Sequence, residues 1–169
     1  TCGYGDRPRP IGPPNNTQSQ DCQRHTHEID FTNQDALSCA DAIQTFRMAV
    51  KTLAKRHGLS ASFMPKPFGN ENGSGMHFKI LILDKGGNNL LEEDKKLSKK
   101  AGAAIAGILH HACAVSLINN PLVNSYKRLK PGFDAPVYVS WSSNSNRSTL
   151  LRITGERNNQ IRLELRSPD

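Results

Sequence analysis

The amino-acid sequence predicts a single α+β domain in which an antiparallel sheet is backed by helices on its apolar side. The 169 residues are enough for one domain with a real core. A composition that is 36% hydrophobic and 22% charged is typical of a globular chain and argues against a disordered one. Several predicted strands alternate apolar and polar residues, as expected for a sheet with one polar face.

The regular elements follow from the hydrophobic periods. Apolar residues that recur every three or four positions predict two helices, from about residue 33 to 57 and from about 97 to 118. Thr32 or Asn33 is expected to cap the first helix, and Gly58 to end it. Short apolar or alternating runs predict the strands, which we place at residues 27–31, 60–64, 76–83, 137–142, 149–153 and 160–166.

The domain organisation follows from composition along the chain. Residues 1–20 are rich in Pro, Asn, Gln and Gly and predict a flexible lead-in, and residues 21–169 form the predicted domain. The chain begins at Thr1 rather than at a methionine, and it stops at Asp169, directly after a predicted strand. We therefore expect it to be a truncated part of a longer protein.

Charge and cysteine content limit which ligands, which thiol state and which cellular location the sequence is compatible with. The net charge of +7 is compatible with nucleic acid or with small anionic ligands. Aromatic residues make up only 6%, and no basic run is interleaved with them, which disfavours single-strand binding. The four cysteines are scattered, so reduced thiols are expected. With no signal peptide or membrane span recognised, we predict a cytoplasmic protein.

A glycine-rich loop at residues 64–76 leads directly into a predicted strand that begins near His77. Gly73 and Gly75 allow the backbone to approach a ligand where a Cβ atom would collide. His77 would then place an imidazole beside that ligand. A lone histidine is more often structural, and the position beside this loop makes the two interpretations about equal. A site at this loop is therefore a hypothesis that needs further residues.

The last predicted strand supplies such residues, because Glu164 alternates with Arg162 and Arg166 on its polar face. Alone, this pattern is more often a solvated polar face. Glu28 and His77 lie on two other predicted strands, so three metal-capable groups belong to three strands. Oxygen ligands with one imidazole suit Mg²⁺ or Mn²⁺, and arginines near strand ends suit phosphoryl transfer. Those arginines are Arg128, Arg147, Arg152, Arg162 and Arg166.

Three segments together resemble the catalytic domain of glutamine synthetase: residues 64–77, residues 124–136 and residues 162–166. The resemblance extends over nearly all of residues 27–169. It implies a ligase of nitrogen metabolism that makes glutamine from glutamate, ammonia and ATP through γ-glutamyl phosphate. It also implies Mg²⁺ or Mn²⁺ as cofactor, an active-site sheet of antiparallel strands, and a homo-oligomer with neither nucleic acid nor membrane as partner.

The resemblance assigns roles residue by residue. Asp134, Arg147 and Arg152 resemble catalytic residues. Glutamate binding is implied for Asn72, Gly73, Arg128 and Arg166. Nucleotide binding is implied for Lys79, Arg147, Arg152 and Arg162. The implied metal ligands are Glu28, His77 and Glu164, together with Asp21.

Two departures from the family pattern stand out. Asp134 occupies a position where the family usually has glutamate, which keeps the charge but shortens the side chain by one methylene. The family's strand after the glycine-rich loop reads His-x-His-x-Ser, whereas this chain has His77, Lys79 and Leu81. Lys79 can still meet a phosphate, but Leu81 cannot replace a hydroxyl.

Three alternatives remain open. The change at Asp134 is compatible with a γ-glutamyl-amine ligase that uses an acceptor other than ammonia. The change at Leu81 is compatible with a non-catalytic structural relative. The charge of +7 alone suggests a nucleic-acid binder, from which we expect only weak, salt-dependent affinity.

Overall fold

A computed structural model describes residues 27–143, 146–155 and 160–169. Its helices are α1 (Ala36–Arg56), α2 (Lys99–His110), α3 (Ala112–Asn119) and α4 (Val123–Arg128). Its strands are β1 (Phe78–Ile80), β2 (Glu92–Glu93), β3 (Lys96–Leu97), β4 (Tyr138–Ser142), β5 (Thr149–Thr154) and β6 (Arg162–Leu165). The predicted flexible lead-in lies outside the described residues.

Four strands form the main sheet in the order β1-β6-β5-β4. The pairs β1–β6 and β5–β6 are antiparallel, as predicted. The pair β4–β5 is parallel, so the prediction of an antiparallel sheet is wrong there. The chain returns to the start of β4 before β5 begins, because the Ser148 carbonyl accepts hydrogen bonds from the Val137 and Tyr138 N–H groups.

The apolar face of this sheet packs against α2, which confirms the predicted arrangement of helices behind the sheet. Leu151 of β5 lies opposite Leu165 of β6, and the alternation places Leu163 on the same face. These three leucines form the buried core with Ala101 and Ile105 of α2. Burial of such side chains contributes about 1.5–3 kcal/mol each, which fixes the sheet and leaves its other face polar.

The first predicted helix is confirmed, but its cap is not the predicted one. Asp35 is the N-cap, and its carboxylate accepts a hydrogen bond from the Ser38 N–H at 3.0 Å. Gly58 follows the helix with φ of +71°, which is the backbone conformation that favours glycine at a helix end. Cys39 is the buried residue of α1, and it is disulfide-bonded. The expectation of reduced thiols is therefore wrong for Cys39, whereas Cys113 is a free, exposed thiol.

Two predicted strands, at residues 27–31 and 60–64, are absent from the described residues, where both segments are irregular. Their aromatic side chains explain the difference. The rings of Phe31 and Phe63 pack edge-on against Phe46 of α1, with centroids 5.4 and 6.1 Å away. Both segments therefore contact a helix instead of pairing within the sheet.

The second predicted helix is two helices, because the chain turns at His111 between α2 and α3. The two helices meet at an angle of 69°. Within the described residues, no single helix is long and apolar enough to cross a membrane, and this bent pair reaches that length and apolarity only when its two helices are taken together.

Candidate active site

Strand register places one group of charged side chains on the polar face of the sheet. Glu164 of β6 lies directly opposite Lys79 of β1 on one side and Arg152 of β5 on the other. Residues in register share a face, so the three side chains form one row. His77 precedes β1, and its Nδ1 atom lies 3.4 Å from Glu164 Oε1. We call His77, Lys79, Arg152 and Glu164 the sheet cluster.

Glu164 is the centre of the sheet cluster and is almost fully buried, with 1% of its surface exposed. Its Oε2 atom accepts a hydrogen bond of 2.5 Å from Arg152 Nε. Burial by itself would raise the pKa of this carboxyl, but the hydrogen bonds from His77 and Arg152 outweigh it and lower the pKa to about 2. Glu164 is therefore an ionised carboxylate at neutral pH.

The sheet cluster contains two groups that suit a metal ion, because an ionised carboxylate and an imidazole lie side by side. Glu28 does not join them: it is exposed and lies on an irregular segment rather than on the predicted strand. Asp21 lies outside the described residues. Among the residues that the structure describes, no set of three potential ligands is assembled. His77 and Glu164 thus fit as a partial ligand set that needs further donors.

Lys79 lies on the outer strand of the sheet, where its Nζ atom is 3.9 Å from Asp30 Oδ1. It also lines a mainly apolar cleft of about 1150 Å³ between α1 and β1. Of the sheet cluster, only Lys79 lines this cleft, and the other three charged side chains lie outside it. The polar face of the sheet, and not this cleft, therefore contains the candidate site.

A second group of predicted residues meets where two loops approach the end of β6. Asp134 is held between two guanidinium groups: its Oδ2 atom accepts a hydrogen bond from Arg147, and its Oδ1 atom lies 3.6 Å from Arg166 Nη2. Asn72 Oδ1 accepts a hydrogen bond of 3.2 Å from the Asp134 N–H. Arg166 also donates to the carbonyl of Arg147. We call Asn72, Asp134, Arg147 and Arg166 the loop cluster.

Arg128 links the glycine-rich loop to the residues after β6. An ideal Cβ on Gly73 would lie 2.3 Å from the Pro65 carbonyl and 2.6 Å from Arg128 Cγ, so only glycine fits there. An ideal Cβ on Gly75 would lie 2.9 Å from Arg128 Nη1 and 3.3 Å from His77 Nε2. Both glycines therefore lie in close contacts, with Arg128 and, at Gly73, also with the Pro65 carbonyl. The predicted approach of a ligand to them stays a prediction.

Arg128 is itself buried, and it donates hydrogen bonds through Nη2 to the Ser167 and Pro168 carbonyls. Burial lowers the pKa of Arg128, and the Asp169 carboxylate, 3.6 Å from its Nε, acts in the opposite direction. Burial likewise lowers the pKa of Arg166, against which the Glu164 carboxylate acts most strongly. Both guanidinium groups are therefore poorly hydrated, which strengthens their interaction with any anion that reaches them.

Four buried polar atoms have no hydrogen-bond partner within the described residues. Three are donors, the Nε atoms of Arg128, Arg162 and Arg166, and one is an acceptor, Asp134 Oδ1. Arg162 lies opposite Thr154 at the start of β6. A buried donor without an acceptor is costly, so such atoms commonly mark a place that a ligand completes. The three arginine donors fit an anionic ligand, and the Asp134 acceptor fits a cationic group bound beside it.

Sequence reasoning missed a set of supporting residues. The half-buried side chain of Asn124 forms hydrogen bonds with both main-chain groups of Lys66, at 2.7 and 3.1 Å. Ser125 donates to Asp169 at 3.0 Å, and Asn120 donates to the same carboxylate at 2.9 Å. Polar residues on a short helix give no periodic signal, because a buried partner is apparent only when the fold is known.

The chain is similar to known proteins over most of its length. A family model described as glutamine synthetase, catalytic domain, matches residues 10–169. Glutamine synthetase of Clostridium saccharobutylicum is 50% identical over 145 residues, which are 85% of this chain and 32% of that protein. Glutamine synthetase of Halobacterium salinarum is 47% identical over 149 residues, with 86% and 33% covered.

Two solved structures share the fold. A cryo-EM structure of Plasmodium falciparum glutamine synthetase matches with a TM-score of 0.78 and 34% identity, over 85% of this chain and 28% of that one. A structure of apo GmaS without ligand matches with a TM-score of 0.70 and 36% identity, over 85% and 32%. The chain spans about a third of the length of the curated relatives it matches.

Proposed function

Because the chain belongs to the glutamine synthetase family, we propose that it forms part of an ATP-dependent glutamate–ammonia ligase. In this reaction the side-chain carboxylate of glutamate takes the terminal phosphoryl group of ATP. Ammonia then displaces phosphate from γ-glutamyl phosphate, which yields glutamine, ADP and inorganic phosphate. The observation that supports the proposal best is the set of buried arginine Nε donors that lack acceptors beside the sheet and loop clusters.

In this proposal the sheet cluster binds the phosphate groups. Arg152 and Lys79 flank Glu164 in the same row, and Arg162 lies two residues along β6 from it. Their positive charges would stabilise the negative charge that develops during phosphoryl transfer. His77 and Glu164 would hold Mg²⁺ or Mn²⁺, which supplies charge neutralisation at the phosphates when it is bound. Glu28 and Asp21 remain proposed as further ligands.

The loop cluster and Arg128 would bind glutamate. Arg128 Nη2 is engaged by two carbonyl oxygens, and its Nε atom, 3.6 Å from the Asp169 carboxylate, makes no hydrogen bond within the described residues. In our proposal this guanidinium binds a carboxylate of the substrate. Arg166 would contact the same substrate, beside Asn72 and Gly73. Arg147 would assist transfer of the phosphoryl group.

Asp134 would bind ammonium and accept its proton before the nitrogen attacks the γ-carbonyl. We assign its Oδ1 atom as the acceptor of the ammonium N–H, because Oδ1 makes no hydrogen bond within the described residues, with Arg166 Nη2 3.6 Å away. Arg147 and Arg166 hold the carboxylate in place through ion pairs. We further propose that the intact protein forms a homo-oligomer and works in the cytoplasm.

A γ-glutamyl-amine ligase is the second candidate. It is favoured by Asp134, because this aspartate is one methylene shorter than the glutamate usual in the family and leaves more room at the ammonium position. The chain is also similar to GmaS, a solved structure that is not named glutamine synthetase, so the fold alone does not select between the two candidates.

The test uses the intact protein that contains this chain, supplied with ATP, glutamate, Mg²⁺ and one amine at a time. We expect glutamine from ammonia, and Glu164→Ala should abolish it. Glu93→Ala, on the exposed side of β2, is the matched control and should retain full activity. Faster turnover with methylamine or ethylamine would favour the second candidate. Unchanged activity of Glu164→Ala would contradict both.

A further inference from the structure

Lys66 is a buried lysine for which neither the predicted site nor the proposed reaction gives a role. It is the third residue of the glycine-rich loop, and 6% of its surface is exposed. Asn124 fixes its main chain on both sides, by accepting from the Lys66 N–H and donating to the Lys66 carbonyl. A charged side chain that is held this firmly and hidden from water requires specific partners.

The partners of the Lys66 ammonium group come from two different loops. Nζ donates a hydrogen bond to the carbonyl of Glu71, which immediately precedes Asn72. Nζ also lies over the ring of Phe133, 3.2 Å from its centroid, and Phe133 immediately precedes Asp134. Within the described residues, no carboxylate lies within ion-pair distance of Nζ. Burial lowers the pKa of Lys66, and the Lys130 charge acts in the same direction.

These contacts place Lys66 between the two loops that form the loop cluster. The loops meet directly at one hydrogen bond between described residues, from the Asp134 N–H to Asn72 Oδ1. A carbonyl and an aromatic face hold the cation without neutralising it, so the contact joins the loops while the charges of Asp134 and Arg166 stay available. The Lys66 main chain is held by Asn124, which belongs to helix α4. The position of the two loops is therefore set relative to a helix.

We propose that Lys66 is a positioning residue that fixes the glycine-rich loop against the Phe133–Asp134 loop and thereby sets glutamate binding. The glutamate part rests on the proposed function, whereas the loop coupling does not. Lys66 is buried and, in this proposal, does not contact the reacting atoms. Its effect would therefore appear in substrate binding more than in the chemical step.

The test compares Lys66→Met, Lys66→Arg and Phe133→Leu in the intact protein, with Lys96→Met on the exposed strand β3 as control. Lys66→Met keeps the length of the side chain but removes the charge. It should raise KM for glutamate about tenfold with kcat changed by less than about threefold. Lys66→Arg should restore most of the loss, because a guanidinium also stacks on an aromatic face. Lys96→Met should behave as wild type.

Hydrogen exchange of residues 66–76 and 129–136, read by mass spectrometry, tests the coupling without any assay of activity. Lys66→Met and Phe133→Leu should each speed exchange in both segments, and the double variant should be no faster than Lys66→Met alone. Faster exchange in only one segment, or additive effects, would overturn the proposal. Should Lys66→Met fail to fold, hydrogen exchange of Phe133→Leu in the same two segments still tests the coupling.

The two proposals can fail separately. Absence of ligase activity in the wild-type protein would reject the proposed function, and the exchange data would still decide the loop coupling. Normal coupling with an unchanged KM for glutamate would reject the role of Lys66 in substrate binding.

Discussion

The sheet cluster and the loop cluster contain similar charges but are held by different means. Glu164 is flanked by Lys79 and Arg152 because the strands pair in that register, so several backbone hydrogen bonds fix its neighbours. Asp134 is positioned by the Asn72 hydrogen bond and by two arginines, one of which is half-exposed. Charges on strands are thus fixed by the whole sheet, whereas charges on loops depend on a few side-chain contacts.

The two carboxylates also differ in how far their side chains are exposed to solvent. The Glu164 side chain is 2% exposed and the Asp134 side chain 29% exposed. Removing one charge of a buried ion pair lowers the free energy of unfolding strongly, because the other charge is left buried without an ionic partner. An exposed ion pair contributes little, because water screens it. We therefore expect changes in the sheet cluster to affect folding as well as activity, and changes in the loop cluster to affect activity with little effect on folding.

The largest expected effect on folding is that of Glu164→Gln. The change keeps the shape of the side chain but removes the charge that faces Arg152 and His77, and it should lower the free energy of unfolding by about 3 kcal/mol. Denaturant titration measures this, with Glu93→Gln as the control, which should differ from wild type by less than about 0.5 kcal/mol. Equal losses in the two variants would contradict the distinction between buried and exposed charge.

Acid should remove the same stabilisation without any substitution. Burial would raise the pKa of Glu164, but His77 and Arg152 lower it from 4.5 to about 2. A lowered folded-state pKa gives stabilisation that is present above pH 4.5 and is lost as the pH falls towards 2. Between these limits, wild type should lose about 3 kcal/mol more stability than Glu164→Gln. Parallel pH profiles of the two proteins would argue against a buried ionised Glu164.

Gly73→Ala tests the close packing beneath the loop cluster. Its Cβ would lie 2.3 Å from the Pro65 carbonyl, a backbone atom that cannot move aside easily. We expect a loss of about 2 kcal/mol in thermal or denaturant unfolding. Gly69→Ala in the same loop is the matched control, because no atom lies within 4 Å of its ideal Cβ. Similar stability of the two variants would mean that the loop can shift without cost.

The smallest expected effect on folding is that of Asp134→Asn, which should change the free energy of unfolding by less than about 1 kcal/mol, because Arg147 is half-exposed. In the intact protein the same change should lower glutamine formation about 100-fold, since the proton acceptor is lost. Stability and turnover are measured on the same preparations. A stable variant with normal turnover would remove Asp134 from the proposed mechanism.

Much of the site was predictable from local patterns. The alternation of residues 160–166 predicted that Glu164, Arg162 and Arg166 share one face, because side chains alternate along any strand. Close contacts at residues 73 and 75 were also predictable, because glycine lacks a Cβ atom, but the sequence did not reveal that Pro65 and Arg128 make those contacts. Strands at residues 27–31 and 60–64 were wrongly predicted, since alternation does not reveal that Phe31 and Phe63 pack on α1.

The sequence by itself determined the family, the polar face of β6 and the helix packed behind the sheet, since these depend on periods and motifs within short segments. Only the tertiary structure decided which groups meet. Register placed Arg152 beside Glu164, and loop packing placed Asp134 between Arg147 and Arg166. Lys66 is the clearest case, because its partners lie five and 67 residues away along the chain and nothing in its own segment indicates them. Contacts between distant segments arise from the packing of the whole fold, which no local pattern encodes.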